Sequence, residues 1–150
     1  MPKFHHEIFF ISILTSINKI KTSTKNKTFD QFLKDSDLFD STLRRLQVIG
    51  DSVKNLLATD FLEKQDQAWK DIIAFRNLVV HEYFSLDPEI IFRIVSDEIE
   101  KLEKDVLRFI KQVENKTYLM QALSDTKKVL SKMNRNNEII YLENIEKNLI

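Results

Sequence analysis

Eight consecutive residues, Arg76-Asn77-Leu78-Val79-Val80-His81-Glu82-Tyr83, hold the densest chemistry in the chain. They put a permanent cation, an amide, an imidazole and a phenol into a stretch that otherwise reads as apolar helix. An arginine stays charged in a protein, and its planar fork matches phosphate oxygens. A histidine gives and takes protons near neutrality. Together they are the minimum equipment for cutting or transferring a phosphodiester without a metal.

Cutting a phosphodiester without a metal needs three things: an activated hydroxyl nucleophile, a stabilised phosphorane charge and a proton for the leaving oxygen. His81 fits the general base or the general acid, a role typically worth about 10²–10⁴-fold. Arg76 fits the grip on the scissile phosphate and on the charge that builds there. Asn77 fits the orientation of His81 or of a phosphate oxygen, and Tyr83 a contact to substrate. Glu82 reads better as a solvated charge than as a third catalytic group.

Helical geometry constrains how these groups meet. On a helix over 72–84, Asn77 and His81 are four apart and share a face. Arg76 and Tyr83, seven apart, nearly superpose. Arg76 and His81 diverge by about 140° on an ideal helix. They line one groove only if the helix bends or ends near His81, or if a second subunit supplies the other wall. Ile72, Phe75, Leu78 and Val79 fill the remaining face and are assigned to the core.

The elements that must position this stretch read as helices. One glycine and two prolines in 150 residues leave little turn chemistry for strands. A first helix is expected over 6–21, apolar at Phe9, Phe10, Ile13, Leu14, Ile17 and Ile20, and a Ser/Thr/Asn-rich loop over Lys21–Lys27. Thr28 with Gln31 three residues on forms a capping box for a short segment, Phe29 to Leu33. Residues 36–59 form the clearest helix, with a three–four stripe of Leu43, Leu46, Gly50, Val53 and Leu57. A mid-helix glycine costs about 1 kcal/mol against alanine. Close approach of a partner helix is the favoured compensation, with a kink or a ligand contact as the other options. Asp87-Pro88 starts a long helix carrying Ile91, Val95, Ile99, Leu102, Val106, Phe109 and Val113. Two further helices over 115–133 and 138–150 are separated by the turn Asn134-Arg135-Asn136-Asn137.

Composition bounds the rest. Hydrophobic content is 43% and charged content 31%, as in an ordinary globular domain, and there is no cysteine for disulfides, thiolate catalysis or zinc. Lys+Arg and Asp+Glu are 23 each, so net charge is zero. A protein that tracks along nucleic acid shows a basic excess. Any RNA contact here should be local or depend on a dimer surface. Lys19, Lys21, Lys25 and Lys27 form the one basic cluster, read as a solvated helix end or as a steering patch. No run reaches the roughly 18 apolar residues of a membrane span. The apolar run Ile8–Ile13 lacks a basic leader, so a cytoplasmic protein is expected. His5-His6 is a poor metal site because adjacent histidines on a helix diverge, and neither a metal nor another cofactor is expected. Trp69 and Phe84 fit core packing better than base stacking.

The segment Trp69-Lys70-Asp71-Ile72-Ile73-Ala74-Phe75-Arg76-Asn77 to His81-Glu82-Tyr83-Phe84, followed by Asp87-Pro88-Glu89-Ile90-Ile91, closely resembles the HepT toxins of the HEPN superfamily. Leu46-Gln47-Val48-Ile49-Gly50-Asp51 is similar to that family's second main helix. The resemblance covers about residues 6–113. The family pattern, Arg, four residues, His, any residue, Tyr, is met by Arg76, His81 and Tyr83, with the usual Asn at Asn77. Position 51, often Glu in the family, is Asp51 here and is a secondary site residue with Glu82.

The resemblance implies an all-α, up-down antiparallel bundle of four to five main helices, paired as a homodimer with the two motifs facing each other. It implies a helical domain over residues 1–114 and leaves 115–150 as a C-terminal helical extension on the bundle. It implies a metal-independent endoribonuclease toxin acting on RNA, tRNA or mRNA. The implied partner is an MntA-type nucleotidyltransferase antitoxin, which silences the toxin by attaching AMP to Tyr83. The added bulk and negative charge beside Arg76 would block the groove. The alternative is a non-catalytic HEPN adaptor that binds nucleotide or RNA beside a minimal nucleotidyltransferase. A structural dimerisation module with a vestigial motif is a third option.

Overall fold

A computed structural model describes residues 5–58, 72–78 and 87–149. Every regular element among them is helical: α1 (Ile8–Thr24), α2 (Phe29–Lys34), α3 (Ser36–Leu57), α4 (72–78), α5 (Pro88–Arg93), α6 (Ile99–Lys111), α7 (Thr117–Lys132) and α8 (Asn136–Leu149). The expected all-α bundle is what the chain forms. Among the described residues, no helix is long and apolar enough to cross a membrane.

Local chemistry sets several boundaries. The Thr28 hydroxyl accepts from the Gln31 amide at 3.1 Å while the Gln31 side chain accepts from the Thr28 amide at 2.9 Å, the reciprocal capping box expected for α2. Asp35 caps α3 through the Leu38 amide at 3.0 Å. Asp87 caps α5 through the Glu89 amide at 3.0 Å, with Pro88 in the first turn. The turn after α7 is a Schellman closure. Asn134 adopts φ 56°, its amide donates to the Ser131 carbonyl, and the Arg135 amide donates to the Leu130 carbonyl at 3.0 Å. The turn is one to two residues shorter than expected, since α8 already begins at Asn136.

Two expectations are corrected. The Lys21–Lys27 segment is not all loop, because α1 runs on to Thr24. The hydroxyls of Thr22, Ser23 and Thr24 donate back to the carbonyls of Asn18, Lys19 and Ile20 at 2.6–2.7 Å, so these turn-forming residues satisfy themselves inside the helix. Asn26, at φ 61°, makes the turn. Gly50 is buried, but among the described residues no helix approaches it closely: nothing lies within 4 Å of where a Cβ would sit. The buried face of α3 is Leu38, Thr42, Leu46, Ile49, Val53 and Leu56, so the expected stripe is one edge of it, with Leu43 half-buried and Leu57 exposed.

The core centres on α1, which packs against α3, α6, α7 and α8. Phe10, Ile11, Ile13, Leu14, Ile17 and Ile20 are all buried, a wider apolar surface than one stripe, as a helix with neighbours on several sides requires. α5 and α6 form one long helix interrupted by a π-helical turn over Ile94–Glu98.

The hairpin α7–α8 is tied to the bundle by charge. Lys19 pairs with Glu138 at 2.9 Å. Glu103 of α6 takes Lys21 at 2.8 Å and the Tyr141 hydroxyl at 2.7 Å. Burial, then the Glu103 charge and the hydrogen bond to it, push the Tyr141 phenol far above its ordinary value, so it stays a donor. Half of the basic cluster is therefore spent on tertiary ion pairs.

Candidate functional site

α4 presents the first half of the motif. Ile72 and Phe75 are buried at 0% and 6% exposure and Leu78 is half-buried, which fixes the rotation of the segment. That is the core face expected for these three; Val79 lies outside the described residues. Arg76 and Asn77 fall away from the Ile72–Phe75 face, the first half-buried and the second exposed. On its other flank α4 meets α6 across a crevice of about 140 Å³, with Ala74, Phe75 and Leu78 opposite Glu98, Lys101 and Asp105. The π-helical turn delivers Glu98 to this crevice.

Arg76 Nη1 donates to Asn77 Oδ1 at 3.2 Å. That bond occupies the amide oxygen and leaves the Asn77 NH₂ to donate elsewhere. Arg76 Nε is buried and, among the described residues, has no hydrogen-bond partner. An unmet buried donor costs about 1–3 kcal/mol, more when charged. A guanidinium kept in that condition is not a satisfied core residue. Its remaining Nη N–H groups are what it can offer to a phosphate oxygen.

His81, Glu82 and Tyr83, and with them Trp69 and Phe84, lie outside the described residues, as does the approach of His81 to Arg76. Asp51 is exposed on α3 and lines a groove of about 310 Å³ between α1 and α3, with Ser12, Arg44 and Asn55. The described lining of that groove comes from α1 and α3 alone, so it does not bring Asp51 together with Arg76. Arg44, whose guanidinium donates to Gln47 at 3.2 Å, joins Asp51 and Asn55 there. The sequence signal for that set is their spacing of seven and four, one polar edge of α3.

The histidine pair at the N-terminus is used for packing. His5 stacks on Tyr118 with ring centroids 3.6 Å apart, and His6 lies 6.4 Å from the Phe9 ring. Among the described residues, no three His, Cys, Asp or Glu side chains cluster to hold a metal.

The all-helical frame, with Arg76-Asn77 on one of its helices, fits the HEPN helical domains. The family model described as Ribonuclease HepT-like matches residues 13–113, and the chain belongs to that family. A Methanocaldococcus jannaschii protein named "Putative RNase" is 37% identical over 115 residues, 76% of this chain and 94% of the relative. A second from the same organism, with the same designation, is 29% identical over 107 residues, 71% of this chain and 97% of the relative. A Thermococcus cleftensis protein named "Probable ribonuclease HepT" is 26% identical over 102 residues, 67% and 92% of the two chains. No solved structure matches the chain. The family match ends before α7 and α8.

Proposed function

We propose that this protein is a metal-independent endoribonuclease toxin whose site is completed by a second copy of the chain. Arg76 holds the scissile phosphate, Asn77 orients it or His81, and His81 exchanges the proton, with Tyr83 at the edge of the groove. Asp51 and Glu82 stand as secondary contributors. Residues 1–114 carry this activity, and 115–150 extend the bundle. The partner is a nucleotidyltransferase antitoxin of the MntA type that adenylylates Tyr83 in the cytoplasm.

The observation that carries the reading is the buried Nε of Arg76, without a partner among the described residues, beside the Asn77 amide on a helix that the ribonuclease family model spans. A guanidinium desolvated in advance needs little reorganisation when charge develops on a phosphate. The names of the relatives, two M. jannaschii RNases and a ribonuclease HepT, point to the same chemistry.

The test incubates wild type, Arg76→Ala and His81→Ala with RNA in EDTA. Wild type cleaves, and each variant loses roughly 10²-fold or more. Equal cleavage by all three would reject the site.

A further inference from the structure

Outside the motif, a groove of about 550 Å³ lies between α6 and α8, inside the range of about 300–1,000 Å³ typical of small-ligand sites. One wall belongs to the family domain and the other to the hairpin beyond the family match. The Tyr141–Glu103 bond joins the two walls, and the lining runs on to Lys111 and Leu149.

The polar groups of the groove divide by wall. α6 contributes Arg108 and Lys111. α8 contributes the side-chain amides of Asn144 and Asn148, four residues apart on one face. Leu107, Ile145 and Leu149 add apolar surface between them. The acids nearby are engaged: Glu103 by Lys21 and Tyr141, and Asp105 by Arg108 at 3.2 Å. Among the described residues, the Lys111 ammonium and both asparagine amides make no hydrogen bond or ion pair.

We propose that this groove binds a nucleoside monophosphate unit, as the free nucleotide or as one residue of an RNA strand. Lys111 and the free edge of Arg108 take the phosphate. Asn144 and Asn148 meet the donor–acceptor edge of the base, a pairing that amides make bidentately. The leucine and isoleucine side chains cover its face. A docked amphipathic helix suits the groove less well. Such a helix uses anchors over at least two turns. The apolar strip on α8 spans only Ile145 to Leu149, about 6 Å, and Asn144 and Asn148 flank it. The zero net charge agrees with a contact built from a few local groups.

The test is calorimetric titration of the full chain with AMP, UMP, adenosine, inorganic phosphate and a 2′-O-methyl hexaribonucleotide that cannot be cleaved. Lys111→Glu and Asn144→Ala/Asn148→Ala are the groove variants. All three positions are exposed, so the fold should be untouched, and melting curves check this. A nucleotide should bind at least tenfold more tightly than adenosine or phosphate. Each groove variant should lose tenfold or more in mononucleotide binding, and Arg76→Ala/His81→Ala should bind the mononucleotides as wild type. In the Arg76→Ala/His81→Ala protein, tighter binding of the hexamer than of either mononucleotide identifies a strand as the source; equal binding identifies the free nucleotide.

No binding by any nucleotide, binding of phosphate alone, or binding lost in Arg76→Ala/His81→Ala but kept in the groove variants would overturn the proposal. The proposal does not rest on the ribonuclease reading. Failed cleavage with intact groove binding, and the reverse, are separate results.

Discussion

At the scale of the residue, Arg76 shows a conflict between stability and use. Its neighbours on α4 are ordinary core, with Ile72 and Phe75 buried, and a hydrophobic chain at position 76 would fit the same half-buried setting. The guanidinium instead holds Nε out of water without a partner among the described residues. A donor in that state costs the protein about 1–3 kcal/mol. Arg76→Met should therefore melt at the wild-type temperature or be more stable by up to about 1 kcal/mol, while RNA cleavage falls by roughly 10²-fold or more. Arg76→Lys keeps the charge but loses the fork, and should fall between the two in activity. Paired thermal melts and cleavage assays decide the matter. An Arg76→Met protein that melts far below wild type would make the arginine a structural residue. The candidacy of this position was legible in sequence from the company Arg76 keeps with Asn77, His81 and Tyr83. The unmet Nε was not, because it depends on which surfaces cover α4.

At the scale of the element, the boundaries that were legible are those fixed within four residues. Thr28–Gln31 and Asp87-Pro88 make their caps from neighbours in the chain, so spacing alone reveals them. The end of α1 was not legible, because Thr22, Ser23 and Thr24 carry hydroxyls that serve a turn or bond back within a helix equally well. The π-helical turn at Ile94–Glu98 left the apolar rhythm of that helix intact and so had no sequence signature. Gly50 is the sharpest difference. Its place in the α3 stripe suggested a tight helix crossing, yet among the described residues no atom crowds the position. What remains is the helix penalty of glycine without a compensating contact. Gly50→Ala should stabilise the protein by about 0.5–1 kcal/mol, read as a higher urea midpoint with an unchanged slope. Loss of stability would show that a close neighbour, such as a second copy of the chain, occupies that space.

At the scale of the whole molecule, the distribution of charge matters more than its sum. Lys19 and Lys21 are spent on Glu138 and Glu103, Lys34 on Asp30, and Lys127 on Glu146. The sequence showed a basic cluster, but not that Lys19 holds α8 and Lys21 holds α6, since their partners lie 119 and 82 residues away. Arg76 at the motif, and Lys111 with part of Arg108 at the α6–α8 groove, are the positive groups that the two proposed sites offer to a phosphate backbone. Each single-strand phosphate contact contributes about −0.7 to the slope of log K against log salt. Two to four contacts then predict a slope of roughly −1.5 to −3. Fluorescence anisotropy of the His81→Ala protein with a labelled 2′-O-methyl hexaribonucleotide, across potassium chloride concentrations, measures it. Lys111→Glu should make the slope shallower by about one contact's worth, and so should Arg76→Ala, because each removes a different phosphate. A slope steeper than about −5 would mean that RNA lies along a broad cationic surface. The protein would then recognise its substrate by field rather than by a few placed groups.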